Sequence, residues 1–495
     1  MRNLTIVIFF LLNTNPSDAQ NPYSNNPWIL GDSVMLDFNT STPTISNSNM
    51  ACYGGSASVH DTINNMHLYA ATIPKGFIWN IILYNQLNIP VKNSQLIRST
   101  LTRNSTLLLP SQNSNGSLYY LITVVSNSAA NTGLYYSVIT NSGGLDTGQV
   151  IVKNINVLPG IELTEGLTAI RHGNGKDWWI LAHKYDQTSI NGSNLFYIFL
   201  LDSNGISTPI LQNIGTLNMA TTCFIKFNAN GEIFYFINGG NLIEKFNFDR
   251  CNGIISNPIT LMPQNMNTTE NFSACELSPD NTKLYVGANS AIGVFKLLQF
   301  DLTSTNIITS KCQVYQIVNT DFADGSLKLA PNGTIYWCMG DPFYVYNTYS
   351  MNLSAITSPN SDCSNVNFLP FSFYLGGHRI GEGTSLPNNP DYQLGPLAGS
   401  SCAPMVGLEE KTNEALSFKI SPNPVSNILS INWPTSNPQL RSIRVLDVHG
   451  RLINESLINS NDKSQQIDVS TLANGIYVIE IKSSNRSDFK RFIKQ

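Results

Sequence analysis

Short apolar runs, each closed by a polar turn and followed by a second aliphatic or aromatic run, recur along most of this chain. The opening runs occupy residues 57–59, 106–109, 167–170, 223–227, 274–277 and 327–330. The turns that follow are Asn65-Met66, Asn115-Gly116, Asn174-Gly175, Asn230-Gly231, Asp280-Asn281 and Asn332-Gly333, about 50 to 60 residues apart. Asn-Gly is a strong hairpin signal, because a tight primed turn needs positive φ at both central residues and these two adopt it at least cost. Each repeat is therefore predicted to be a β unit built on a hairpin. Further runs at 195–201, 242–248 and 296–302, closed by turns such as Asp202-Ser203-Asn204-Gly205, add strands to each unit. No long helical period precedes residue 400, so the reading is all-β.

Self-similarity at this spacing is the mark of a solenoid, an array or a propeller. A seventh apolar run, 369–375, lies about 45 residues past the sixth and gives way to Gly376, Gly377, Pro387 and Pro390. That leaves no room for four strands. Residues 33–38 and 43–46 read as two strands ahead of the first full unit, so a last blade stitched from both chain ends is predicted, a closure that leaves no unpaired edge. The expected architecture is a β-propeller over 20–395, with seven blades favoured over six or eight. An exposed linker is expected over 396–413, where Pro, Gly and Ser cluster. Residues 414–495 carry about seven short strands with turns at His449-Gly450 and Asn474-Gly475, which predicts a small immunoglobulin-like β-sandwich.

A chain of 495 residues exceeds what one growing core accommodates, in keeping with a radially repeated body plus a second domain. Charged residues are 12% of the chain, about half the usual share. The net charge of −4 divides unevenly: residues 414–495 hold ten Lys or Arg against seven Asp or Glu, and the rest holds eighteen against twenty-five. An acidic body with few arginines is a poor phosphate surface, so nucleic acid is not expected as a partner. Met1-Arg2-Asn3, an apolar run over 4–12 and Ser17-Asp18-Ala19 read as a signal peptide, 1–19, cleaved after Ala19. No segment is long and apolar enough to be expected as a transmembrane helix. Eight cysteines precede the tail; without a Cys-x-x-Cys pair they predict buried thiols with one or two bridges, in no assignable pairing.

Four motifs in the tail carry a resemblance: Ser421-Pro422-Asn423-Pro424, Val445-Leu446-Asp447-Val448-His449-Gly450-Arg451, Leu472-Ala473-Asn474-Gly475-Ile476-Tyr477, and Lys490-Arg491-Phe492-Ile493-Lys494-Gln495. The segment resembles the C-terminal sorting domain of cargo for the type IX secretion system of Gram-negative bacteria. The resemblance implies export across the outer membrane by the type IX machinery, with release or attachment at the cell surface, and a sorting motif formed by Pro422, Asn423, Pro424, Gly450, Gly475, Tyr477, Arg491 and Lys494. Gly475 suits a turn at positive φ, and the cationic strand-forming end suits edge pairing with a receptor. The body is similar to secreted bacterial propellers of the WD40 and YVTN type. That likeness rests on residues 167–183, Leu277-Ser278-Pro279-Asp280 and Leu386-Pro387-Asn388-Asn389-Pro390-Asp391-Tyr392; the first unit departs from it with Asn64-Asn65-Met66.

The densest polar group, His172, Asp177 and His183 with Arg171 around Trp178-Trp179, offers a metal site or an acid and base pair if the histidines meet across a hairpin. The alternative is structural, with Trp178 and Trp179 on opposite strand faces and the histidines bonded to backbone at a rim. His60-Asp61 and the glycine-rich loop 376–383 are the other titratable positions among flexible neighbours. Ser278-Pro279-Asp280-Asn281-Thr282 and Ala330-Pro331-Asn332-Gly333-Thr334 only echo the boxes of propeller sialidases. Neither Gly-x-Ser-x-Gly nor His-Glu-x-x-His occurs. No cofactor or metal is expected. The reading is an exported, cell-surface or extracellular, non-catalytic binding or adhesion module for glycan or protein; its alternative is an extracellular polysaccharide hydrolase or lyase on the same scaffold.

Overall fold

The recurring apolar runs fold as the first strands of successive four-stranded sheets. In the computed structural model, the described residues are 23–24, 26–52, 54–61, 66–75, 78–100, 102–111, 118–126, 131–140, 148–265, 270–290, 293–318, 325–339, 350–380, 386–403, 418–433, 440–447, 450–458, 462–483 and 487–495. The leader with Ala19, the first two Asn turns and His449 lie outside them. The chain divides into two compact units between Pro404 and Met405.

Among the described residues the first unit holds seven antiparallel sheets, here blades one to seven. Blade one comprises Trp28–Leu30, Asp32–Asp37 and Thr44–Ala51. Blade two runs outward through Ser56–Asp61, Met66–Lys75, Ile78–Asn85 and Ile97–Arg98, with Tyr23–Ser24 paired to its inner edge. Blade three is Thr106–Ser111, Leu118–Val125, Gly133–Thr140 and Gln149–Asn156. Blade four is Thr168–Arg171, Trp178–His183, Ser193–Asp202 and Ile210–Asn218. Blade five is Cys223–Phe227, Ile233–Asn238, Ile243–Asp249 and Ile254–Met262. Blade six is Glu270–Leu277, Lys283–Ser290, Val294–Asp301 and Cys312–Val318. Blade seven is Leu327–Leu329, Ile335–Trp337, Asn352–Ile356 and Phe368–Tyr374.

Both faces of a blade are covered by its neighbours, so inner strands are largely buried on both faces instead of alternating between buried and exposed. Every residue of Thr106–Ser111 and Trp178–His183 is buried. Adjacent Trp178 and Trp179 show the consequence: Trp178 enters the core shared with blade three and Trp179 the core shared with blade five. The chain of shared cores closes on itself. Ile29 and Met50 of blade one pack with Tyr69 of blade two, one cluster spans blades two to four, and Phe196 meets Phe234 and Phe246 across blades four and five. Phe224 then joins Phe272, Tyr285 joins Trp337, and Tyr336 of blade seven returns to Trp28 of blade one. This is a β-propeller.

The closure differs from the predicted stitched blade. Residues 368–374 pair with Asn352–Ile356 as the outer strand of blade seven, and the N-terminal strands form a sheet of their own. The ends meet through side chains and through single backbone bonds such as Asp32 N to Arg379 O at 2.8 Å. An apolar run looks alike whether it is inner or outer, which is why the expectation erred.

The recurring turn also differs from the primed type. Gly175, Gly231, Asn281 and Gly333 have φ between 60° and 79°, whereas the Asn or Asp before each does not reach positive φ. The amide of each positive-φ residue bonds the carbonyl three residues earlier, at 2.8 to 3.0 Å. This is a type I turn followed by a left-handed residue. In all four described copies the Asn or Asp side chain also accepts the amide two residues on, as Asn230 Oδ1 does from Glu232 N at 3.1 Å.

Residues 396–403, expected in an exposed linker, are instead held on the propeller: Leu397 N bonds Gly173 O at 2.8 Å and Cys402 is disulfide-bonded to Cys251. A second bridge joins Cys312 to Cys363, and Cys52, Cys223, Cys275 and Cys338 are buried thiols.

The second unit is a sandwich. One sheet is Lys419–Ser421, Ile428–Asn432 and Ser464–Asp468; the other is Leu452–Leu457, Leu440–Asp447, Gly475–Ser483 and Ser487–Lys494. Leu429, Ile431 and Ile467 of the first pack on Ile443, Ile479 and Phe492 of the second.

Trp28 is fully buried, 4.6 Å from the Phe38 ring and 6.3 Å from Tyr336, at the seam between first and last blades. Trp28→Ala is expected to lower stability by about 3–5 kcal/mol, read from chemical denaturation of the full chain.

Candidate functional site

The inner strand of a blade presents one edge with no ladder partner, and these edges face the propeller axis. Unpaired buried backbone groups are costly, and here residues 386–395 supply partners. Leu386 N donates to Ser326 Oγ at 2.7 Å, and Asn388 N donates to Ser56 O at 2.8 Å. The Asn388 amide lies 3.0 to 3.3 Å from the carbonyls of Asn104, Thr106 and Leu167, thus bridging blades three and four. Asn389 accepts Ser58 N at 2.8 Å, and the Tyr392 hydroxyl sits 2.7 Å from Leu108 O and 3.0 Å from Ser58 O. Arg250 fixes the far end, donating to Gly395 O at 2.7 Å and to Asn230 O at 2.9 Å.

Backbone groups of blades two to four are bonded by Asn388, Asn389 and Tyr392 of this axial segment. A cavity of about 310 Å³ remains between it and the inner strands of blades four to seven. The cavity lies toward the face of the Asn turns, reaching Asn228, Ser278 and Asn281. Four charged residues line it: Lys226, Glu276 and Lys328 from the inner strands and Asp391 from the axial segment.

Strand alternation explains their direction. Ile225 and Phe227 face the core shared with blade four, so Lys226 between them turns toward blade six; Cys275 and Leu277 face blade five, so Glu276 turns toward blade seven. Lys226 Nζ lies 3.0 Å from Glu276 Oε2. That oxygen also accepts the inner-edge amide of Leu329 at 3.0 Å, and Oε1 accepts Leu277 N at 3.0 Å. Lys328 Nζ donates to Asn389 O at 2.6 Å. Burial opposes the charge of Glu276, but Lys226 foremost, then Lys328 and the Leu329 amide, hold its carboxyl below the usual range. Burial likewise opposes the charge of Lys226, and Glu276 outweighs it, so its ammonium titrates above the ordinary value. Lys328 is the exception: burial, then the like charge of Lys226, push it down to about 8 against the weaker pull of Glu276 and Asp391.

The three residues singled out from the sequence do not converge. His172 and Asp177 pair through backbone, His172 N to Asp177 O at 2.9 Å, at one end of the hairpin. His172 Nε2 bonds Cys251 O at 3.0 Å while Nδ1 accepts Asn174 N at 3.0 Å; Asp177 accepts the Asn174 amide at 2.6 Å. His183 ends the strand Trp178–His183, five steps of about 3.3 Å beyond Trp178. It is packed between Phe196 and Phe236, with ring centroids 4.8 and 4.9 Å away, and burial drives it down to about 3. Of the other positions, Asp61 accepts the Tyr119 hydroxyl at 2.8 Å, the His60 ring lies tilted against His67 with centroids 3.5 Å apart, and His378 bonds Asn47 at 2.9 Å where the chain returns to blade one. Residues 381–383 lie outside the described set. Among the described residues no cluster of His, Cys, Asp and Glu forms a metal site.

In the tail, Asn423 clamps the final strand: its Oδ1 accepts Ile493 N at 2.8 Å and its amide donates to Arg491 O at 3.2 Å. Pro422 and Pro424 flank it, and Val425 N bonds Ile493 O at 2.8 Å. Tyr477 stacks on Phe492 at 5.6 Å and donates to Ala473 O at 2.9 Å. Gly450 closes a turn at φ 76°. Gly475 does not sit at positive φ; it opens a strand opposite Lys494, so its expected turn role is corrected. Residues 419–495 match the family model of the secretion system C-terminal sorting domain. The tail is a type IX sorting domain.

The protein is thus type IX cargo, released outside the cell or attached to its surface in Bacteroidetes. No curated protein matches the chain. Among solved structures, the cargo is similar to a Lactobacillus plantarum protein, with 12% identity, a TM-score of 0.45 and coverage of 73% of this chain and 98% of that one. A Pseudomonas aeruginosa periplasmic gluconolactonase gives 10%, 0.44, 73% and 99%, and a Myceliophteria thermophila Cps50 (Swd1) β-propeller domain gives 10%, 0.35, 64% and 96%. Among the described residues of the cargo no helix is long and apolar enough to cross a membrane.

The cavity residues were missed in the sequence, although a signal existed. Lys226, Glu276 and Lys328 each stand four residues before the Asn or Asp of their turn, a charged residue at one position of three successive apolar strands. Lys328→Met is expected to stabilise the cargo at pH 7, since below pH 8 both folded and unfolded chains hold the proton and the folded one bears the whole cost of burying it. As pH rises through about 8 toward the ordinary lysine range, the folded state releases that proton first, so the advantage should shrink; thermal midpoints from pH 6 to 10 measure it. Asn388→Ala, which strips partners from three carbonyls, should cost about 1–3 kcal/mol in denaturant titrations.

Proposed function

We propose that the propeller is a binding module that works outside the cell, taking a glycan or protein group of a surface partner at its axial mouth without transforming it. The observation that carries this reading is the cavity beside the axial segment, toward the face of the Asn turns, with Lys226, Glu276 and Lys328 in its lining. Concave sites with a few convergent polar groups in an otherwise apolar wall are where small ligands bind. The separation of His183 from His172 and Asp177 removes the acid and base pair that the hydrolase or lyase reading relied on. Delivery to this setting would follow removal of the leader after Ala19 and handling by the type IX machinery through the tail, with Asn423, Tyr477, Arg491 and Lys494 among the residues presented.

The test is a glycan and surface-protein array probed with the full chain. Binding to a defined set is expected, reduced at least tenfold by Glu276→Gln combined with Lys226→Met, with thermal midpoints verifying the fold. Catalytic depolymerisation of an arrayed polysaccharide would overturn the reading, and binding indifferent to both substitutions would move the site off the axis.

A further inference from the structure

Lys226, Glu276 and Lys328 occupy equivalent positions in blades five, six and seven; the same position holds Asp61, Ser111 and Ile170 in blades two, three and four. Three successive charges thus fall in blades five to seven and line the cavity, whereas Asp61 of blade two is buried and accepts the Tyr119 hydroxyl. Within the group Glu276 is fully used, accepting Lys226 Nζ and the amides of Leu277 and Leu329. Lys328 is not matched in the same way. Its ammonium has three donors, and among the described residues its hydrogen bond goes to one neutral oxygen, Asn389 O at 2.6 Å. A carboxylate on the axial segment, Asp391, also lines the cavity, but it is an exposed residue that accepts the Gln393 amide at 2.8 Å. Formal charge over the four groups is balanced, so what the cavity offers an anion is local: donors on one half-buried ammonium. The volume of about 310 Å³ is at the lower end of the roughly 300–1,000 Å³ of small-ligand sites.

We propose that the axial cavity takes a single carboxylate carried on a group of about monosaccharide size, seated on Lys328 Nζ. This rests on the binding-module reading and names its ligand chemistry. A charge-assisted hydrogen bond to an ammonium is stronger than one to a neutral donor, and the carboxylate restores the opposite charge that Lys328 lacks within hydrogen-bonding distance. Binding draws a proton to the protein at alkaline pH, because Lys328 titrates near 8 without ligand and higher with an anion beside it.

The experiment is calorimetric titration of the full chain with two matched pairs, D-glucuronate against D-glucuronamide and N-acetylalanine against N-acetylalaninamide, at pH 7 and in buffers of different ionisation heat at pH 8.5. The expected result is at least one acid bound tenfold or more tighter than its amide, with proton uptake at pH 8.5, and both effects abolished in Lys328→Met while its thermal midpoint shows a folded protein. The pair that discriminates identifies the source, a sugar acid or a peptide end. Equal affinity within both pairs, absence of binding by both acids, or discrimination that survives Lys328→Met overturns the proposal. Equal binding of acid and amide that Glu276→Gln weakens would leave the axial site standing and sink only its anionic ligand; binding untouched by every cavity substitution would sink the site itself.

Discussion

A ring of sheets brings a set of unpaired backbone edges to one axis, and the interior of this protein is arranged around that requirement. Each buried amide or carbonyl without a partner costs about 1–3 kcal/mol, and the axis is where the ladder cannot supply one. The protein meets the demand in three ways. Tyr23–Ser24 pairs with the end of the blade two inner strand, the axial segment bonds blades two to four through Ser56, Ser58, Thr106, Leu108 and Leu167, and Glu276 of blade six accepts the edge amide of blade seven. The cavity is what remains where the axial segment does not reach. Its charged lining and its position are therefore two results of one constraint: on this side the edge is served by a carboxylate, and a buried carboxylate in turn requires a cation such as Lys226.

The other constraint is apolar. Each blade is covered on both faces, so stability accumulates from interfaces between neighbours and no blade stands alone. This is the part of the fold that was most legible. Continuous apolar runs before a turn marked the inner strands, and the spacing of the turns marked the repeat. Closure was less legible, because residues 369–375 carry the composition of an inner strand while serving as an outer one, paired with Asn352–Ile356. The turn was legible as a turn and misread in type: Asn-Gly supplies a left-handed residue in either geometry, and only the backbone distinguishes Gly231 alone at positive φ from two such residues in succession. The second domain followed its motifs closely, except at Gly475, where a strand position was mistaken for a turn.

Site residues were harder to find for a geometric reason. Proximity in sequence suggested that His172 and His183 face each other, but the strand Trp178–His183 runs outside its hairpin turn for its full length, so residues at opposite ends of one strand stay apart. Conversely, Lys226, Glu276 and Lys328 each stand about 50 residues from the next in sequence and are adjacent in space because radial repetition superimposes equivalent positions around an axis. A density of polar residues within one repeat points to a loop or a rim; a charge recurring at one phase of several repeats points to the axis. The second pattern is the more informative in a propeller. It applies here to a position that every apolar neighbour on the strand would lead one to expect buried.

Stability alone does not account for that recurrence. Replacing a buried ion pair with packed apolar residues is often neutral or favourable, and blade four fills the same position with Ile170, which packs in the core shared with blade five. Glu276 has a structural task at the Leu329 edge and Lys226 neutralises it, so those two form a self-sufficient pair. Lys328 adds a second positive charge that this pair does not need, and burial together with Lys226 works against it. Its bond to Asn389 O satisfies one donor and could be made by a neutral side chain without that cost. A charge that the fold disfavours, held at the wall of a cavity beside an already balanced pair, is what the proposed carboxylate ligand would match.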